Sequence, residues 1–460
     1  MAELTSLSAT ELIAEYRAGA VSPVEVTDAV LARIDALEGT VAALYAPDPD
    51  AARAAARESE RRWRAGAPLG AIDGIPLTLK ENIATRGTPT PLGTAATELV
   101  PAAEDAPAAA RVRECGGVLL GKTTMPDYGM LTSGLSSFHT ATRNPWDLAR
   151  TPGGSSAGAA AAAAAGYGPL HVGTDIGGSI RLPAGWCGIV GFKPSFGRVP
   201  VHPPYLGRAV GPMTRTVADA ALFMAVLSRP DSRDHLCLPP AELDWTAAEA
   251  DSATLRIGLQ LDPGIGLPVD PAIRDAVAEA ARLFESAGAT VEPVEPFLTR
   301  EMLDGLDRFW RTRFLVDTEG LPPERRERIL PYIAEWGAGA EGLSGRDVYR
   351  GFAQIDAMTV AALRATEPYD IVLSPTCPVP APPFDHASPT NDPARPFEHI
   401  AFTVPYNMSG QPAVSLNCGY TGDGMPIGLQ IAGRRFDDVG VLRAAATFER
   451  LRPPQRAWPL

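Results

Sequence analysis

Two glycine-framed serine sites are the first places in this chain where residue type and spacing could do chemistry. Gly153-Gly154-Ser155-Ser156 and Gly177-Gly178-Ser179 place Ser155 and Ser179 24 residues apart, across an alanine run at 159–165 and the short apolar stretch Leu170-His171-Val172-Gly173. Glycine pairs ahead of a serine let the backbone bend sharply and gather amide N–H groups near the hydroxyl. A serine nucleophile with an oxyanion hole needs that arrangement. On the residues alone, plainer readings compete: Gly177-Gly178-Ser179 as an ordinary turn, and Ser155 or Ser156 as the N-cap of an alanine helix. A serine hydroxyl also needs a base, and none of the six histidines (His139, His171, His202, His235, His386, His399) stands in a nucleophile-elbow pattern.

The wider run, Gly173-Thr174-Asp175-Ile176-Gly177-Gly178-Ser179-Ile180-Arg181 with Cys187-Gly188-Ile189-Val190-Gly191-Phe192-Lys193-Pro194, resembles the signature of the amidase signature family of serine hydrolases. Upstream, Gly74-Ile75-Pro76-Leu77-Thr78-Leu79-Lys80-Glu81-Asn82 is similar to that family's catalytic-lysine segment. Downstream, Gly211-Pro212-Met213-Thr214-Arg215-Thr216-Val217-Ala218-Asp219 and Gly428-Leu429-Gln430-Ile431 are similar to it as well. The likeness runs from about residue 4 to 450 and is weakest at about 225–400, where the family itself varies.

The resemblance implies an amide hydrolase in which Ser179 is the nucleophile, Ser155 bridges it to Lys80, and Lys80 is the base. That role needs a neutral amine, and the apolar stretch Ile75–Leu79 could supply the dry surroundings that lower a lysine pKa. The family also implies a cis peptide bond between Gly154 and Ser155. The backbone N–H groups of Ile176, Gly177, Gly178 and Ser179 are its oxyanion-hole candidates. Asp175 and Arg181 would hold the loop from behind, Ser156 and Thr174 would hydrogen-bond within it, and Tyr128, Gly129 and Met130 would line the acyl pocket. The implied fold is α/β: the amidase signature fold, a mixed, mostly parallel central sheet with helices on both faces. It would be a single amidase domain over 1–460, with a signature core at about 65–220 and a variable substrate-side region at about 225–400.

The elements that must position these residues show in the pattern. Ser8-Ala9-Thr10-Glu11 and Ser22-Pro23-Val24-Glu25 are capping boxes. Helices are expected across 49–65, 157–165, 299–315 and 345–366, and a buried strand at 117–121. Between Leu255 and Val294 the order strand, helix, strand favours a parallel βαβ unit. The proline-rich segment 374–396 reads as a long surface loop or lid.

Bulk properties exclude other classes. An apolar fraction of 45% and a charged fraction of 21% fit a globular protein. The 41 basic residues against 54 acidic ones, without a basic cluster, argue against nucleic acid. Five scattered cysteines (Cys115, Cys187, Cys237, Cys377, Cys418) read as buried thiols in a reducing cytoplasm. The composition points to a GC-rich bacterial genome. No basic region precedes an apolar run at the N-terminus, so neither a leader nor a membrane span is expected. No His, Cys or carboxylate cluster has metal-ligand spacing, so no metal and no cofactor are expected. Gly116-Gly117-Val118-Leu119-Leu120-Gly121-Lys122-Thr123 fits a phosphate-loop pattern, but its interior reads as a strand, which argues against nucleotide binding.

Expected partners are thus a small-molecule amide or carbamate and, by family habit, a second copy in a homodimer. Within the family the competing function is the glutaminase subunit of a tRNA-dependent amidotransferase. That subunit carries an acidic residue seven positions before the Asn of a segment similar to Phe402-Thr403-Val404-Pro405-Tyr406-Asn407; here that position is Ile400. An isoleucine cannot pair with an ammonium. Ile400, Met130 and the Tyr205-Leu206 pair point instead to a neutral, partly apolar aryl or alkyl amide, with carbamates and urethanes as a variant.

Overall fold

The computed structural model describes residues 3–246 and 249–460; Met1 and Ala2, where the leader reading starts, lie outside them. Among the described residues eleven strands share one sheet. They are β1 (Leu44–Tyr45), β2 (Pro76–Lys80), β3 (Val118–Thr123), β4 (Leu170–Asp175), β5 (Val190–Lys193), β6 (Ala209–Thr214), β7 (Arg256–Leu259), β8 (Thr290–Pro293), β9 (Ile371–Pro375), β10 (Ala413–Tyr420) and β11 (Pro426–Gly433). Their order across the sheet is β1-β3-β2-β4-β6-β5-β10-β11-β9-β7-β8.

The mixed α/β architecture matches the expectation, but the balance of strand directions does not. β2 runs parallel to β3 and β4, and β7 to β8 and β9, while the other six pairings are antiparallel. Connection length is part of the reason. β10 and β11 are joined through Thr421–Met425, closed by a 2.8 Å bond from the Thr421 N–H to the Met425 carbonyl, and so short a link allows only a hairpin. The expected βαβ unit forms as β7, the helix Pro271–Ser286 and β8, in parallel register from Arg256 opposite Thr290.

The helices follow their signals. Both serine capping boxes close, at Ser8 and Ser22. The alanine helix Ala157–Ala165 is buried along its whole length. Small side chains let it pack on two sides at once, against the main core and against Ile180, Ala184 and Met213. A second apolar core gathers around Trp310, Phe314 and Trp336, carried by the helices Arg300–Glu319 and Pro331–Ala338. The segment 374–396 is not a free lid: Cys377, Ala381 and Ala387 are buried in that second core.

This topology fixes where chemistry can occur. β2 and β4 are parallel neighbours, with Leu77 opposite Leu170 and Leu79 opposite Val172. Their carboxyl-terminal residues, Lys80 and Asp175, therefore emerge at the same edge, and crevices at such strand ends are the usual ligand sites of α/β sheets.

Candidate active site

Lys80 ends β2 with no exposed surface. Its Nζ donates to Ser155 Oγ at 2.8 Å and to Ser156 Oγ at 3.1 Å. Burial holds its pKa well below the ordinary lysine value; the Arg208 cation pushes the same way, while Asp175 and Glu81 oppose it. An ammonium stripped of water loses its solvation, so the neutral amine, which can accept a proton, is favoured.

Ser155 follows a cis peptide bond from Gly154. Ser156 occupies the helix N-cap position, yet its side chain makes no capping bond. Instead Ser156 Oγ receives the Lys80 amine and the Thr174 N–H and donates to the Thr174 carbonyl, each Thr174 bond being 3.2 Å. Gly129 closes on Ser155. Its φ of +69° is left-handed, and a Cβ there would lie 3.2 Å from Ser155 Oγ.

The loop after β4 is held from behind by one carboxylate. Asp175 accepts from the N–H groups of Gly178 (2.8 Å), Ile180 (3.0 Å) and Arg181 (3.3 Å). It also accepts from Arg181 Nε (3.0 Å) and Nη2 (2.9 Å) and from Asn407 Nδ2 (2.9 Å). Burial alone would raise the Asp175 pKa, but the Arg181 guanidinium and these donors hold it well below the carboxylate range. Arg181, itself fully buried, reaches on to Gln430 Oε1 at 2.7 Å, Asn407 Oδ1 at 2.5 Å and the Thr403 carbonyl at 2.9 Å.

These contacts correct one expectation. The Gly178 N–H points back to Asp175 and is not a free oxyanion donor. The N–H groups of Ile176, Gly177 and Ser179 have no acceptor among the described residues. Ser179 is half-buried, and its carbonyl accepts the Ser156 N–H at 3.1 Å, which ties the two serine loops together. The Ser179 hydroxyl makes no hydrogen bond among the described residues, so of the three linked groups only Lys80 and Ser155 are in direct contact.

Ser155 and Ser179 open onto one cavity of ≈ 640 Å³, whose lining includes Tyr205, Arg208, Arg313 and Asp317. A second, mostly apolar recess leads off from Ser179, lined by Leu131, Leu182, Trp310, Phe397 and Ile400, with Arg313 shared between the two spaces. Tyr128 lines the first space, and Gly129 and Met130 line both. Leu206, grouped with Tyr205 in the sequence reading, is 39% exposed and lines neither.

A buried neutral-leaning lysine on a serine hydroxyl, a second serine beside free backbone amides, and a cavity joining them form a hydrolytic arrangement. A protein-family model described as Amidase matches residues 25–442. The chain belongs to the Amidase family. It is 37% identical to a glutamyl-tRNA(Gln) amidotransferase subunit of Myxococcus xanthus (strain DK1622), over 97% of this chain and 98% of that one. It is 36% identical to an acylamidase of Rhodococcus erythropolis, over 97% of this chain and 96% of the relative. Among solved structures, a bacterial aryl acylamidase of the amidase signature enzymes superimposes with a TM-score of 0.89 at 31% identity, covering 97% and 96% of the two chains. As an Amidase-family member the protein is a hydrolase of amide C–N bonds.

Other buried lysines of this Amidase-family fold touch no serine. Lys122, from the phosphate-loop pattern, lies inside β3, where burial lowers its pKa to about 8. Lys193 donates to two backbone carbonyls, those of Pro194 and Gln411. Sequence reasoning missed Thr403, Asn407 and Gln430 as supports of Arg181, although their motifs had been singled out. It also missed Trp310, Phe397, Arg208 and Arg313, which no motif marks.

Proposed function

We propose that the protein is a stand-alone amidase that works through an acyl-enzyme on Ser179. Ser179 Oγ attacks the amide carbon; its proton passes to Ser155, and the Ser155 proton passes to Lys80. The N–H groups of Ile176, Gly177 and Ser179 receive the developing oxyanion, a kind of contact worth roughly 3–4 kcal/mol per donor. Collapse breaks the C–N bond as Ser155 returns a proton to the leaving nitrogen. Water then attacks the acyl carbon and gives its proton to the same Ser155–Lys80 relay, and the relay reprotonates Ser179 Oγ as the acid leaves. The observation that carries this reading is the 2.8 Å contact between the buried Lys80 amine and Ser155.

The relay also orients the substrate. The leaving nitrogen takes its proton from Ser155, so the amine side lies in the cavity that Ser155 lines. The acyl side occupies the apolar recess around Trp310 and Ile400. With its Arg313 offset by Asp317 and the rest of its lining mostly apolar, that recess suits a neutral aryl or alkyl acyl group, and a carbamate or urethane carbonyl is attacked in the same way.

A panel of p-nitroacetanilide, a p-nitrophenyl carbamate, a dialkyl urethane and glutamine, run with wild type and Ser179→Ala, tests this. Ser179-dependent cleavage of the anilide or urethane by the isolated chain supports it. The similarity to amidotransferase chains favours one second reading, a glutaminase component of such a complex. Glutamine hydrolysis alone, or inactivity until partner chains are added, would favour that instead. Against it stands Ile400, buried beside the recess where an ammonium would need a carboxylate.

A further inference from the structure

The amine-side cavity has a charge that the proposed reaction does not use. Arg208 lines it and, among the described residues, makes no side-chain hydrogen bond and no ion pair. The charged neighbour that acts on it is another cation, Arg313. Arg313 lies over the Tyr205 ring at 4.7 Å, and its Nε is 3.5 Å from Asp317 Oδ2. Asp317 thus offsets Arg313, and the other carboxylate of the wall, Asp175, is offset by Arg181. One guanidinium is left over, in a protein whose net charge is −13.

An unpaired guanidinium in a partly dry wall is costly unless something binds it. Its planar fork fits a carboxylate through two parallel hydrogen bonds. One spare positive charge matches a monoanion better than a phosphate dianion. The place is equally specific: Arg313, already offset by Asp317, lines both spaces, whereas Arg208 lines only the cavity it shares with Ser155. The anion therefore belongs to the leaving amine and not to the acyl group.

We infer that Arg208, flanked by Arg313, binds a carboxylate on the leaving group. The substrates cleaved best are then amides between an apolar acid and an amine that carries a carboxylate, such as an amino acid or an aminobenzoate. Hydrolysis adds water across the C–N bond: hydroxyl goes to the acyl carbon, hydrogen to nitrogen, and the amino acid or aminobenzoate leaves with its carboxylate unchanged. The inference rests on the amidase reading above and replaces a neutral leaving group with an anionic one.

The test uses 6-nitro-3-(phenylacetamido)benzoate and its methyl ester, which differ only in that charge. Wild type should favour the acid in kcat/KM by about 10- to 100-fold, the worth of a charge-assisted pair. Arg208→Gln should bring the acid-to-ester ratio close to one, and Arg208→Lys should leave it between. The ratio cancels any effect of Arg208 on Lys80, which acts on both compounds alike. A wild-type ratio near one, or a ratio unchanged in Arg208→Gln, would overturn the inference. If neither compound shows Ser179-dependent turnover, the amidase reading fails for this pair, and calorimetric binding to Ser179→Ala decides the subsite. Tighter, Arg208-dependent binding of the acid supports it; equal binding, or none, overturns it.

Discussion

Asp175→Asn tests whether one buried carboxylate holds the nucleophile loop. The Gly178 N–H, Arg181 Nη2 and Asn407 Nδ2 converge on Asp175 Oδ1; the Ile180 and Arg181 N–H groups and Arg181 Nε converge on Oδ2. An asparagine offers one oxygen and one NH₂. Whichever way the amide turns, three donors lose their acceptor and Arg181 stays buried without a counter-charge. Stranding one partner of a buried pair costs about 3–5 kcal/mol. Unfolding entropy of roughly 2 cal/mol/K per residue gives about 1 kcal/mol/K for 460 residues, so the melting temperature should fall by about 4 °C. Because Gly178 leads directly into Ser179, kcat should also fall by about 10²- to 10³-fold, as when an aligned oxyanion donor is lost. Arg181→Met should cost a similar amount, and the double variant less than the sum by about 1–3 kcal/mol. Calorimetric melting and steady-state kinetics on one anilide read all three. A variant that melts within about 1 °C of wild type and keeps its kcat would refute the reasoning, since six bonds would then be doing nothing.

Other outcomes follow from the same geometry. Since only neutral Lys80 accepts a proton, kcat/KM should fall as pH drops through its lowered pKa. Between that value and the ordinary one near 10.5 the unfolded chain binds more protons than the folded one, so stability rises with pH there. Lys80→Met should flatten this slope, as urea midpoints at several pH values would reveal; an unchanged slope would mean that Lys80 is charged in the fold. A Cβ on Gly177 would lie 3.2 Å from Trp310 Cη2 and 3.4 Å from Ile400 Cδ1. Gly177→Ala should therefore penalise phenylacetyl more than acetyl anilides, by about 10-fold in kcat/KM, and equal losses would move the acyl group out of that recess. Ile400→Asp would put a carboxylate among Trp310 and Phe397 and should reduce turnover of apolar anilides by about 100-fold, checked on the same panel. Incubation with EDTA should leave the rate unchanged; a loss would point to a metal.

The chain announced its chemistry locally. Glycine pairs beside Ser155 and Ser179, the apolar strand ending in Lys80, both capping boxes and the alanine helix are short-range patterns, and short-range patterns survive in one dimension. The strand directions were less legible, because four of the six antiparallel pairings join strands that are not consecutive in the chain. Ser156 read as a helix cap, and only folding brought the Lys80 amine and Thr174 close enough to claim its hydroxyl instead. Gly178 read as an oxyanion donor until its left-handed φ of +128° turned its N–H onto Asp175. Arg181 meets Asn407 and Gln430 across 226 and 249 residues of sequence, a juxtaposition that no spacing rule encodes. On the residues alone the two glycine-framed serines were candidates that competed with a plain turn and a helix cap, and it was the family resemblance that joined them to Lys80. What surrounds them emerged only on folding: a mostly apolar recess beside Ser179 and, in the cavity shared with Ser155, an Arg208 without an ion pair among the described residues. Solvation and net charge at a point are sums over every neighbour in space, and those neighbours come from all parts of the chain.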